Sequence, residues 1–119
     1  SVSGVDDLTR ASMSYSSLSG WAQAKRLRGM LGLMQSCWRT RAYGDFWSYM
    51  LVAEGAVDVA AEPELQLYDM AALVPIVEEA GGSFTSLHGE PGPWGGCALA
   101  TNGLLHADVL EVLDSVRDG

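Results

Sequence analysis

Apolar residues recur at the spacing of one helical face in four separate stretches of the chain. Leucine and methionine occupy positions i, i+3, i+4 and i+7 within residues 27–34, which predicts an amphipathic helix over 17–35. The same spacing predicts three more helices: one between Gly44 and Gly55, one from Met70 to the pair Gly81-Gly82, and one from Leu105 to Val116.

Short segments bounded by turn residues lie between these helices and predict strands. They are Arg10–Tyr15, Cys37–Arg41, Ala56–Ala61, Ser83–Leu87 and Cys97–Thr101. Alternation of helix and strand favours an α/β fold, with a mostly parallel or mixed five-stranded sheet and helices on both faces. Pro75 lies inside the third helix, where a missing hydrogen bond predicts a bend.

The composition of the chain limits the kinds of partner that it could bind. The 119 residues carry 7 Lys and Arg against 15 Asp and Glu, a net charge of −8, which argues against binding to nucleic acid or to an anionic membrane. No apolar run reaches the length of a membrane span, so we expect a soluble, cytoplasmic protein. Cys37 and Cys97 lack the close spacing of a metal or redox pair, and we expect buried, reduced thiols.

Four residues with side chains able to bind ligands lie at or after the ends of predicted strands. If the strands that end at Arg41 and Ala61 are parallel and near one another, their following helices begin at one edge of the sheet, where ligands of such folds bind. Asp45 and Asp69 lie at these helix starts, where a carboxylate could hold a metal ion that neutralises phosphate. Each aspartate could equally cap its helix, Glu62 could be a solvated acid, and Arg41 could form a surface ion pair.

Several motifs support a more specific hypothesis. The stretch from Leu67 to Gly82, in which Tyr68-Asp69 opens a helix ending in Glu-Ala-Gly-Gly, resembles the C-terminal signature of the inositol monophosphatase family. Arg41-Ala42-Tyr43-Gly44-Asp45 resembles that family's Arg-x-x-Gly segment, Glu62 precedes Asp69 by seven residues as its substrate-binding glutamate does, and Ala100-Thr101-Asn102 resembles its late Ala-x-Asn strand end. The resemblance covers residues 5–117.

Three details resemble the histidinol-phosphate phosphatase branch of that family. They are Tyr68 where tryptophan is common, Pro75 within the helix, and the sequence Gly44-Asp45 followed by Phe46-Trp47-Ser48-Tyr49. An inositol monophosphatase, a related sugar-phosphate phosphatase, and a non-catalytic binding or assembly module of the same fold stay open as alternatives.

The resemblance implies a Mg²⁺-dependent phosphate monoesterase in which water attacks phosphorus without a covalent enzyme intermediate. It implies that Asp69 is a metal ligand and that Asp45 and Glu62 contact the leaving alcohol. Gly44 would let the backbone approach the substrate, and Arg41 would brace the acids or orient their loop. The resemblance assigns no residue of this chain to the catalytic step itself.

One departure from the family pattern concerns the other metal ligands. The family draws them from a glutamate and an Asp-Pro-x-Asp-Gly-Thr segment, which these 119 residues do not contain. One carboxylate does not make a magnesium cluster. We therefore expect residues 1–119 to be a single C-terminal subdomain, a fragment that is inactive without an N-terminal half. The complete enzyme is expected to be a homodimer.

Overall fold

The predicted strands and helices appear in the computed structural model of the chain, which describes residues 1–15, 27–37, 39–41, 49, 52–55, 57–63, 67–92 and 97–115. The strands are β1 (Ser12–Tyr15), β2 (Arg39–Arg41), β3 (Val59–Glu62), β4 (Ser83–Thr85) and β5 (Ala98–Thr101), and the helices are α1 (Leu27–Ser36), α2 (Leu67–Glu79) and α3 (His106–Ser115). Tyr49 and residues 52–54 are also helical, within the predicted second helix. Each described element overlaps a predicted one, except for a short 3-10 turn at Leu8–Arg10.

The five strands form one sheet in the order β2-β1-β3-β5-β4. β1 pairs in parallel with β2 and β3, whereas β5 is antiparallel to both β3 and β4. The sheet is therefore mixed, which is the second of the two predicted arrangements, and the α/β prediction is confirmed. β5 departs from the parallel direction because a loop, not a helical crossover, leads from β4 into it.

Apolar cores cover both faces of this sheet, as predicted. Alternate residues of β3 point to opposite faces, so Val59 and Ala61 join the core under α1 and α3, while Ala60 joins the core under α2. The first core includes Met13, Met30, Leu33, Leu99, Leu105, Val109 and Leu113, and the second includes Tyr49, Val52, Leu73, Val77, Phe84, Ala98 and Ala100.

Helix α2 continues through Pro75, whose side chain is exposed; the bend expected there stays a prediction. The helix ends at the two glycines, as predicted. Gly81 adopts a φ of 97°, and the N–H groups of Gly81 and Gly82 donate to the carbonyls of Glu78 and Val77, both at 3.0 Å. This pattern is a Schellman motif, in which glycine takes the left-handed position at the helix end.

The first residues of the chain are tied to the sheet, although their sequence predicts no element. The N–H of Val2 donates to the carbonyl of Ala80 at 3.0 Å. Asp58, only 5% exposed, accepts hydrogen bonds from the Ser3 hydroxyl and, at 2.7 Å, from the N–H of Ser12. Asn102 donates to the Ser3 hydroxyl at 3.0 Å. These bonds lie where β3 begins, at the opposite edge from the candidate site.

Within the part of the chain that the structure describes, no helix has the length and apolar character needed to cross a bilayer. Both cysteines are free, as expected; Cys97 is buried and Cys37 is partly buried.

Candidate functional site

The carboxyl ends of three parallel strands meet at one edge of the sheet, and two predicted site residues lie there. The register pairs Ser14 of β1 with Arg41 on one side and with Ala60 on the other. Arg41 is the last residue of β2, and Glu62 is the last residue of β3. With β1 between them, the two strands are about 10 Å apart. The strands are thus parallel near-neighbours, as the sequence analysis required.

Glu62 is buried despite its negative charge. Only 8% of it is exposed, which contradicts the interpretation of a solvated acid. It follows Ala60 by two residues, so it lies on the face of the sheet that carries α2. A carboxylate removed from water must be compensated by polar partners or a bound cation, and such burial at a ligand-binding edge is typical of a functional group.

Asp69 is the third residue of α2, in its first turn. Leu73 and Val77 of this helix pack on the same face of the sheet as Ala60, so the start of α2 and Glu62 share that face. The N–H groups of a first helical turn and the positive end of the helix dipole favour nearby negative charge. The fold therefore brings the backbone of Asp69 to the face that bears Glu62.

Gly44 and Asp45 lie outside the described residues. The helix predicted to follow them is described only at Tyr49 and residues 52–54, and Tyr49 and Val52 belong to the core under α2. That helix consequently occupies the same face as α2 and Glu62. Among the residues that the structure describes, no three His, Cys, Asp or Glu side chains are grouped closely enough to hold a metal ion.

The histidine and thiol groups show no sign of a nucleophilic site. Burial and the negative charge of Asp58 raise the pKa of Cys37 to about 11, so its thiol stays protonated and poorly nucleophilic at neutral pH. The sulfur of Cys97 accepts a hydrogen bond from the N–H of Leu87 at 3.3 Å. Both observations agree with structural cysteines.

His106 lies within hydrogen-bond distance of two threonine hydroxyls, one at each ring nitrogen. Thr85 donates its hydroxyl hydrogen to the Ser86 carbonyl at 2.7 Å, so its oxygen must accept from Nε2 of His106, 2.8 Å away. The Thr101 hydroxyl is 2.9 Å from Nδ1 and accepts from the N–H of Gly103. In the neutral ring with its hydrogen on Nε2, this hydroxyl donates its own hydrogen to Nδ1. Burial lowers the pKa of His106. The ring therefore joins β4, β5 and α3 as a structural group.

Sequence patterns did not anticipate the networks of Asp58 and His106. Asp58 stands between Val57 and Val59 in a predicted strand, and an acid in such a setting signals a buried, hydrogen-bonded carboxylate. The sequence could therefore have predicted that Asp58 is buried, but not which residues it binds.

Family comparison agrees with the motifs at this edge of the sheet. The sequence profile of the inositol monophosphatase family matches residues 2–117. The chain belongs to the inositol monophosphatase family.

Curated relatives within this family share more than half of their aligned residues with the chain. A protein named histidinol-phosphatase from Streptomyces coelicolor is 60% identical over 113 residues, which are 95% of this chain and 42% of that protein. A second protein of that name, from Mycobacterium tuberculosis, is 58% identical over 115 residues, or 97% of this chain and 44% of the relative. The chain thus spans less than half the length of these relatives.

A solved structure agrees in fold. An inositol monophosphatase from Zymomonas mobilis superposes with a TM-score of 0.85 at 27% identity, covering 95% of this chain and 46% of the other. The arrangement of sheet and helices is therefore that of part of the inositol monophosphatase fold.

Proposed function

We propose that residues 1–119 form the C-terminal part of a Mg²⁺-dependent phosphate monoesterase that hydrolyses L-histidinol phosphate to L-histidinol and phosphate. The observation that carries the proposal is the buried carboxylate of Glu62 on the same sheet face as the start of α2, where Asp69 stands. The 60% identity to a relative named histidinol-phosphatase supports the choice of substrate.

Asp69 is proposed to be one ligand of the metal ion. The inositol monophosphatase family is metal-dependent, and carboxylate oxygens are the ligands that Mg²⁺ prefers. The carboxylate of Asp69 therefore fits the ion as one member of a larger ligand set. When bound, Mg²⁺ activates the attacking water and neutralises phosphate charge. The positive end of α2 adds to this by favouring the phosphate near its N-terminus.

Glu62 is proposed to bind the leaving group instead of the metal ion. Its negative charge suits the cationic amino or imidazolium group of histidinol, and burial strengthens that interaction by excluding water. Asp45 is proposed to contact the same alcohol, while Gly44 allows close approach of the backbone. Arg41, two strands away from β3, would brace the acids or orient their loop.

The remaining ligands are proposed to come from an N-terminal half like that of the relatives, of whose length this chain spans 42–44%. Residues 1–119 alone should then be inactive, and the complete enzyme is proposed to be a cytoplasmic homodimer. The substrate would be a small phosphate ester.

Phosphate release by the protein expressed from its complete reading frame tests the function. We expect Mg²⁺-dependent release from histidinol phosphate, and faster than from inositol 1-phosphate. Asp69→Asn should abolish Mg²⁺-dependent turnover because it removes the ligand charge while keeping the shape, and Asp108→Asn, at an exposed position in the first turn of α3, is the matched control.

Release from neither ester would overturn the enzymatic proposal, and preference for the inositol ester would transfer it to the other branch of the family. Wild-type turnover by Asp69→Asn would show that the aspartate only caps its helix.

A further inference from the structure

The strand that carries Glu62 stops abruptly at a proline. Glu62 is the last residue of β3, and the next residue, Pro63, is buried. The ring of a proline clashes with helical conformations of the residue before it and restricts that residue to extended backbone. Pro63 also lacks the N–H that would continue the strand. Pro63 therefore both restricts the backbone of Glu62 and prevents the strand from continuing.

The other side of Glu62 is fixed by β5. Glu62 pairs with Ala98, the first residue of that strand. Cys97, immediately before Ala98, is 7% exposed and accepts the N–H of Leu87 on its sulfur at 3.3 Å. The partner strand is thus anchored beside the last pair of the ladder. Glu62 is therefore paired with the anchored residue Ala98 across the sheet and is restricted in its backbone conformation by Pro63 along the chain.

We propose that Pro63 is a positioning residue: it restricts Glu62 to extended backbone, so that the buried carboxylate is directed to the α2 face of the sheet before substrate binds. This inference rests on the proposed function, in which Glu62 binds the leaving group. A preceding residue freed from the proline can sample helical conformations, and each of these turns its side chain away from the extended direction. Substrate binding would then include the cost of returning Glu62 to the extended state.

Pro63→Ala in the protein expressed from its complete reading frame tests the inference. We expect KM for histidinol phosphate to rise about two- to fivefold, the range that corresponds to the conformational restriction supplied by one proline, with kcat nearly unchanged. Pro91→Ala is the matched control, because Pro91 is exposed in the loop between β4 and β5 and should leave KM unaltered. A KM equal to that of the wild type would overturn the proposal.

A double-mutant cycle with Glu62→Gln separates positioning from general destabilisation. If Pro63 acts through the Glu62 carboxylate, Pro63→Ala should raise KM much less in the Glu62→Gln background than in the wild type. An equal rise in both backgrounds would show that the ring acts elsewhere and would contradict the proposal.

Amide hydrogen exchange provides a readout that does not need activity. Exchange at Ala98 should be faster in Pro63→Ala, because the last pair of the ladder opens more often, while exchange at Thr101 should be unchanged. Unaltered exchange at Ala98 would overturn the proposal even if the protein releases no phosphate, and absent release alone would count only against the proposed function. If Pro63→Ala does not fold, Pro63→Val keeps more of the buried bulk without the ring and serves the same comparisons.

Discussion

The neutral ring of His106 should make the stability of the fold sensitive to pH below the ordinary histidine pKa. The ring is 9% exposed, lies at the first residue of α3, and accepts the Thr101 hydroxyl hydrogen on Nδ1. A proton on Nδ1 would force the Thr101 hydroxyl to turn its hydrogen away and would add charge beside the positive end of the helix dipole. All three features favour the neutral form, and burial lowers the pKa.

The sign of the effect follows from the two protonation states. In the unfolded chain His106 binds a proton at about pH 6.5, whereas in the folded chain it does so only at lower pH. The unfolded state therefore binds more protons in the interval between these values, and the free energy of unfolding falls as pH decreases through it. For one proton the slope reaches at most about 1.4 kcal/mol per pH unit. The contribution is fully present above pH 6.5.

Urea unfolding between pH 5 and pH 8 measures this slope in the protein expressed from its complete reading frame. His106→Gln should lose about 0.5–1.5 kcal/mol at pH 8, the value of one hydrogen bond, and should show a shallower fall below pH 6.5. His88→Gln is the control, because that histidine is exposed in the folded chain. An unchanged slope in His106→Gln, or an NMR spectrum with the hydrogen on Nδ1, would refute the reasoning.

Two further substitutions test the packing and the polar network. Gly82→Ala would put its Cβ 2.4 Å from the carbonyl oxygen of Thr101, so we expect the free energy of unfolding to fall by about 1–3 kcal/mol. Gly4→Ala is the control, because no atom lies within 4 Å of its added Cβ and it should unfold like the wild type. Equal unfolding midpoints for the two variants would contradict the close approach at Gly82. Asp58→Asn should cost about 1–3 kcal/mol, because the amide keeps only one acceptor oxygen and at least one hydrogen bond that the buried carboxylate accepts is lost. Unfolding as stable as that of Asp114→Asn, an exposed control, would show that the network contributes little.

Local periodicity was sufficient to predict the helices and strands and the edge of the sheet at which the candidate site lies. The strand end at Arg41 was predicted, and the end at Glu62 was predicted to within one residue, at Ala61, because turn residues bound short apolar segments. The right-handed crossover rule then brings these strand ends to one edge. The Asp58 network could not be predicted, since its partners Ser12 and Ser3 are 46 and 55 residues away. The burial of Glu62 could not be predicted either, because it depends on distant parts of the chain such as β5, whose Ala98 pairs with Glu62. Local patterns carry little information about such distant contacts.

The position of β5 has a consequence for synthesis on the ribosome. This strand lies between β3 and β4, yet, among the described elements, α1, α2 and the four other strands precede it in the chain. Until residues 98–101 emerge from the exit tunnel, the edges of β3 and β4 that later pair with β5 carry unpaired backbone groups. Nascent chains paused just upstream should therefore be prone to strand-edge aggregation, and chaperones that shield such edges would have their longest opportunity at that stage of translation.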